Sequence, residues 1–295
     1  MLAVELDLIL AQLFTGVALG AVFVLMSVGL SVIFGMLGVV NFAHGAFYMI
    51  GAYVGIFVLT LTGNFWFALA ATPVLVGLFG LLVERFLVRP LYGRGPDYPL
   101  LLTFGLAYAL VELVRIIFGN DGIPFDTPEL LSGGFDLGDL GYYPAYRLFV
   151  VGFTILVLFV LWVVIERTRF GLIVRAGARD PRILSILGID VARVWLVAFG
   201  IGTGLAALAG LLAAPMRSVN PEMGVAVLVE AFVVTVIGGM GSLLGGAIAG
   251  MLVGIVVSLT SLWLPQMATM SMFALMTLVL IVKPQGLFGQ GDLAR

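Results

Sequence analysis

Inside the long apolar runs of this chain stand a few groups able to do chemistry: Asn41 with His44, Glu112 with Arg115, and Glu230 with Thr235. Ionisable side chains in such runs are usually functional or paired, because an uncompensated charge there is costly. Glu230 is flanked by Val225, Val227, Leu228, Val229, Phe232, Val233, Val234, Val236 and Ile237. Nine such residues at about −0.3 to −0.6 kcal/mol each only roughly offset a central acid of about +3 kcal/mol, so Glu230 is expected to turn away from lipid. It can then line a polar pathway, meet a partner subunit, or lie protonated against a neighbouring helix. Asn41 and His44 flank a glycine-rich stretch where a helix would break. An amide and a neutral imidazole there would hydrogen-bond a zwitterionic solute or tie down the unwound backbone. Glu112 and Arg115, three apart on one helix face, most simply pair with each other, with an outer-gate contact as the functional alternative. Asn41, His44, Glu230 and Thr235 are thus the candidate pathway residues, and Glu112 and Arg115 the candidate outer gate.

Other chemistries lack their residues. His44 is the only histidine and there is no cysteine, so a two-histidine or thiolate metal site cannot form within one chain, and no metal is expected. No Gly-x-Ser-x-Gly elbow is present. The only lysine, Lys283, stands before Pro284 rather than after a glycine, so no phosphate-cradling loop is available and ATP would have to be bound by a partner. The chain is expected to be no enzyme, to bind no cofactor of its own and to have no nucleic-acid partner.

The elements that must position these residues follow from composition. With 62% hydrophobic residues, 10% charged residues and a mean hydropathy of +1.22, the chain has too little polar surface to coat a soluble globule. Its apolar runs reach the length needed to cross a bilayer and contact lipid. The reading is a single all-α transmembrane domain over 1–295, a polytopic bundle of 8–9 spans. They fall near 8–35, 42–61, 65–83, 98–118, 147–165, 194–214, 224–240, 243–263 and 267–282. Glycines crowd 36–47 and 236–246, where broken or re-entrant helices are expected; such breaks occur at membrane depth only where they line protein or a wet cavity. Met1–Asp7 holds two acids and no basic residue, unlike the start of a cleaved signal peptide, so the first run is expected to be retained. Small residues spaced by four (Gly51/Gly55, Gly200/Gly204, Ala206/Gly210, Gly241/Gly245, Gly246/Gly250/Gly254) predict close helix packing.

The net charge of −2 matters less than where the charges sit. Alternating nine spans puts Arg85, Arg89, Arg94, six arginines of the 166–193 loop, Lys283 and Arg295 on one side, against Arg115, Arg147 and Arg217 on the other. Positive loops face the cytoplasm, so the N-terminus is expected outside and the C-terminus inside. The 119–146 outer loop is acidic and proline-bearing and predicts an ordered, non-helical cap. Within the basic 166–193 loop, Asp180 before Pro181 is a helix start and Gly188 a stop. The roughly two turns between them set Ile183, Leu184 and Leu187 on an apolar face and leave Arg182 and Ser185 elsewhere. A helix this short is unstable alone, so its apolar face needs a partner surface, the membrane domain or a docked protein. A loop that only fixes topology is the plainer alternative.

Asn41-Phe-Ala-His-Gly45, preceded by Gly29-Leu-Ser-Val-Ile-Phe-Gly35 and followed by Gly51-Ala-Tyr53, resembles the signature of the branched-chain amino acid (LIV-type) ABC-transporter permeases. The similarity continues through Thr168-Arg-Phe-Gly171, Arg175-Ala176, Leu187-Gly-Ile189, Pro221-Glu-Met-Gly224, Ala231-Phe232, Gly238-Gly-Met-Gly-Ser242 and Pro284-Gln-Gly286, in order along nearly the whole chain. The short N-terminal lead is similar to the shorter of the two permease subunits. The resemblance implies a second homologous permease, two cytoplasmic ATPase subunits carrying the ATP, an extracytoplasmic solute-binding protein and a multi-pass place in a bacterial inner membrane. It implies that Asp180–Gly188 is the coupling helix, with Arg175, Asp180, Arg182, Ile183, Leu184, Leu187 and Gly188 at the ATPase contact. Apolar amino acids are the first expected solutes, with urea, amides and aromatic or other carboxylates carried by related permeases. An ion-coupled carrier is the competing class; it would need coupling-ion ligands at mid-membrane, where the chain offers little beyond Glu230.

Overall fold

In the computed structural model, residues 2–136 and 142–289 are described; Asp139 of the acidic loop and Arg295 of the basic set lie outside them. The helices are α1 (Leu2–Leu37), α2 (His44–Thr62), α3 (Phe65–Val83), α4 (Asp97–Phe118), α5 (Ala145–Arg167), α6 (Arg169–Arg179), α7 (Pro181–Ile186), α8 (Val191–Ala213), α9 (Met223–Gly238), α10 (Leu243–Trp263) and α11 (Ala268–Val282). Two short strands, β1 (Gly134–Asp136) and β2 (Tyr142–Pro144), pair antiparallel in the 119–146 loop. Eight helical stretches are long and apolar enough to cross a membrane. The helix at the expected 224–240 span, α9, has 16 residues. At about 1.5 Å per residue it is roughly 24 Å long, short of the roughly 30 Å hydrocarbon core.

Boundaries follow from local chemistry. The Asn64 side chain accepts hydrogen bonds from the Trp66 and Phe67 N–H groups at 2.9 and 3.1 Å and so starts α3. Both glycine-rich stretches interrupt helices. α1 stops at Gly38 (φ +64°) and α2 resumes at His44, while α9 and α10 are separated by Gly239 (φ +96°) and Gly241 (φ +82°). Asn41 and Ala43 are buried, so this non-helical backbone is enclosed by protein rather than lipid.

Most of the small residues spaced by four mark helix contacts. A Cβ on Gly254 would lie 2.4 Å from the Gly20 backbone, and one on Gly250 2.8 Å from Val24, so α10 runs against α1 along a glycine seam. Gly200 and Gly204 face Gly77 and Pro73 of α3, and Gly51 of α2 meets Ala207 of α8. In lipid, where apolar surface gains nothing by leaving its solvent, such close approach is what holds helices together.

Contacts gather the loops into two ends. At one end Tyr143 donates to the Phe14 carbonyl at 2.8 Å, Arg147 to the Thr15 hydroxyl at 2.6 Å, and Ile123 pairs with Val219. At the other, Arg89 reaches the Ala192 carbonyl at 3.0 Å, Gly35 approaches Gly241, and Phe288 N–H donates to the Gly238 carbonyl at 3.0 Å. The first end holds Arg115, Arg147 and Arg217, and the second the 166–193 loop.

Candidate functional site

The break before α2 is built around His44. Its Nε2 lies 3.1 Å from the Met26 carbonyl on α1, so that nitrogen carries the proton and donates. A Cβ on Gly29 would sit 2.8 Å from the Gly202 carbonyl oxygen of α8 and 3.2 Å from the imidazole Cε1, which explains why glycine stands there. Asn41 accepts from the Ala43 N–H at 3.1 Å through its side-chain oxygen, and its backbone carbonyl accepts from the His44 N–H, also at 3.1 Å. Both side chains thereby hold the turn into α2. Asn41 Nδ2 and His44 Nδ1 are buried with no hydrogen-bond partner among the described residues. Asn41 also borders a cavity of about 30 Å³ with Ile33, Tyr92 and Thr103, room for about one water.

Glu230 turns inward, as expected, and meets Arg217 at 3.3 Å, with the guanidinium 5.9 Å from the Phe23 ring centroid. The two side chains are 18% and 36% exposed. A half-buried pair over an aromatic face anchors the middle of α9, through the loop that carries Arg217, against α1. Glu230→Gln is expected to lower the thermal midpoint of the purified protein. Adding Arg217→Met should recover part of the loss, because removing both charges leaves none uncompensated. If the double variant is no more stable than the single one, the pair is not what holds this corner. Thr235 folds back on its own helix, donating to the Ala231 carbonyl at 2.8 Å. Glu112 and Arg115 pair at 2.5 Å, and Arg115 extends to Glu222 at 3.5 Å, linking α4 to the loop before α9.

The most buried acid was not among the expected candidates. Glu84 is 0% exposed at the end of α3, where the helix widens into a π turn over Glu84–Val88. Arg89 forks onto it at 3.3 and 3.1 Å, Tyr92 donates to it at 2.7 Å, and the same Arg89 caps the Ala192 carbonyl at the start of α8. Burial first, then the bond to Glu84, pushes the Tyr92 hydroxyl well above its ordinary range, so it remains a donor.

At the same end, α6 and α7 form the basic loop. Asp180 caps α7, accepting from Arg182 and Ile183 N–H at 2.8 and 3.3 Å, and Gly188 ends it with φ +77°. The expected apolar face divides. Leu184 is 4% exposed and packs against Gly177 of α6, so it turns inward, whereas Ile183 and Leu187 are exposed together with Ile186, at 84% the most open of them. Arg175, expected at the ATPase contact, turns back to α5: it pairs with Glu166 at 2.9 Å and donates to the Ile165 carbonyl. Arg182 is exposed.

A wide cavity of about 1280 Å³ opens at this end between the second halves of α1 and α5, the α9–α10 turn, and α6 with α7. Phe34, Leu161, Trp162 and Leu244 supply apolar walls, and Glu166 and Arg175 a charged pair. None of Asn41, His44, Glu230 and Thr235 borders it.

A bundle of apolar helices with buried breaks, a wide cavity at one end and a capped, apolar-tipped helix beside it defines a membrane transport subunit. The model of the family "Branched-chain amino acid transport system / permease component" matches residues 12–282, and the chain belongs to that family. It is 32% identical, over 97% of both chains, to BraD of Pseudomonas aeruginosa and likewise to LivH of Escherichia coli K12, each a high-affinity branched-chain amino acid transport system permease protein. To LivM of E. coli K12, a permease protein of the same kind, it is 29% identical over 90% of this chain and 67% of that one.

Proposed function

We propose that this chain is one of two permease subunits of an ATP-driven importer in a bacterial inner membrane, and that it carries branched-chain and other apolar amino acids. The N-terminus faces outward and the C-terminus the cytoplasm, because the basic residues gather at the end that holds α6 and α7. A cytoplasmic ATPase subunit docks on α7, and ATP is bound there and not by this chain. A second permease, related to this one as LivM is, completes the pathway, and an extracytoplasmic protein delivers the solute at the Glu112–Arg115–Glu222 end.

The observation that carries this reading is α7 itself. A six-residue helix has no stability of its own in water, yet it is capped, seated by Leu184, and presents Ile183, Ile186 and Leu187 outward at the basic end. Exposed apolar tips on a rigid seat, away from the apolar belt, fit a groove on a soluble partner. Ile186→Asp and Leu187→Asp are expected to abolish co-purification of the ATPase while the permease stays folded and monodisperse. Leu184→Asp should instead unseat the helix and destabilise the chain. Undiminished ATPase recovery with both surface variants would remove α7 from the coupling contact.

A further inference from the structure

We infer that the cavity between α5 and α10 is a transient solute site at which the Glu166–Arg175 pair opens to receive a zwitterion, carboxylate to Arg175 and ammonium to Glu166. The inference rests on the importer reading above and adds the site and its chemistry. The two charges stand 2.9 Å apart at the rim, both roughly half exposed, and both border the cavity. An exposed pair of this kind is weak, so exchanging each partner for the matching end of an amino acid costs little and leaves the solute loosely held. Loose holding suits a step that must release its cargo.

The walls select the rest of the molecule. Leu161, Trp162, Leu244 and Phe34 offer apolar surface next to the pair, and Gly35 and Gly241 on the facing wall leave backbone rather than side chain at its edge. A cavity of about 1280 Å³ exceeds the roughly 300–1,000 Å³ of ordinary small-molecule pockets, so solute can enter and leave with its water. Ile183 and Leu184 of α7 also border it, so movement of α7 reshapes the site directly.

The absence of native cysteine makes the test direct. Leu244→Cys inside the cavity and Leu130→Cys in the loop at the far end would each be labelled with a hydrophilic maleimide in the purified, reconstituted importer. Labelling would be timed with L-leucine, with 4-methylpentanoate, which lacks the ammonium, and with 3-methylbutylamine, which lacks the carboxylate. Leucine is expected to slow labelling at Leu244→Cys several-fold and the one-ended analogues much less, with Leu130→Cys unaffected. Adding Glu166→Gln with Arg175→Gln should remove the protection while the complex still co-purifies. Three results overturn the inference: no protection by leucine, protection kept in the double variant, or a Leu244→Cys sealed off in the complex because a partner subunit fills the cavity. Leucine uptake by the same vesicles separates the two readings, since uptake without protection rejects this site alone, and no uptake rejects the importer of apolar amino acids.

Discussion

Gly45→Ala is expected to destabilise the folded chain by about 3 kcal/mol or more, at or beyond the upper end of the usual overpacking cost. A Cβ at Gly45 would lie 2.1 Å from the Gly224 carbonyl oxygen, and one at Gly224 2.4 Å from the Gly45 carbonyl oxygen. The obstruction is backbone on both sides, so no rotamer change relieves it, and α2 and α9 must part. Parting them disturbs His44, which immediately precedes Gly45, and the Arg217–Glu230 pair midway along α9. Two controls grade the effect. At Gly55 the same Cβ meets the tip of Leu211 at 2.3 Å, which can turn aside, so Gly55→Ala should be distinctly milder. At Gly152 nothing lies within 4 Å, and Gly152→Ala should be neutral or slightly stabilising through helix propensity. Thermal unfolding followed by fluorescence-detected size exclusion gives the ranking; a Gly45→Ala protein as stable as its parent would falsify the close α2–α9 contact.

Arg89→Ala is expected to cost roughly 3 kcal/mol, the lower part of the range for breaking a buried ion pair, because Arg89 itself is partly exposed. The loss leaves a fully buried carboxylate with only the Tyr92 hydroxyl, and it frees the Ala192 carbonyl at the start of α8. Glu84→Gln should be milder: the amide oxygen still accepts from Tyr92, and the freed guanidinium can reach water. Arg89→Lys should not restore the parent, since an ammonium cannot fork onto both carboxylate oxygens and the carbonyl as a guanidinium does. Equal losses for Arg89→Ala and Glu84→Gln in a thermal unfolding series would show that the two charges are not unequally buried.

The knot also shows where sequence reasoning reached its end. Five residues apart on an ordinary helix lie roughly 140° from each other at about 100° per residue, so Glu84 and Arg89 do not read as a pair. The π turn, whose backbone bonds join residues five apart, brings them together. Next to Arg85 at the end of an apolar run, Glu84 reads as an interfacial acid. The spans, the two helix breaks and the cap of α7 were legible because they rest on local signals: run length, positive-φ glycines, and Asp before Pro. The inward turn of Glu230 was legible from cost alone, but its partner was not, since Arg217 lies across a loop with no periodicity to align them. Leu184 shows the same limit at short range. Spacing groups it with Ile183 and Leu187, and only the position of Gly177 on α6 decides that it faces inward. The cavity could not be read at all, being the space left where α5 diverges from α1 and α10.

The glycine seam between α1 and α10 has a consequence for how the chain is made. Gln12 and Ser258, which bond across that seam, are 246 residues apart. At about 5–20 residues per second of synthesis, roughly 12–50 s pass between their emergence from the ribosome. For that interval the glycine face of α1, with Ser27, has no mate. The first helix inserted must therefore be chaperoned by the insertion machinery or by the intervening helices, and a chain cut short before α10 leaves the ribosome with an open seam that membrane quality control can recognise.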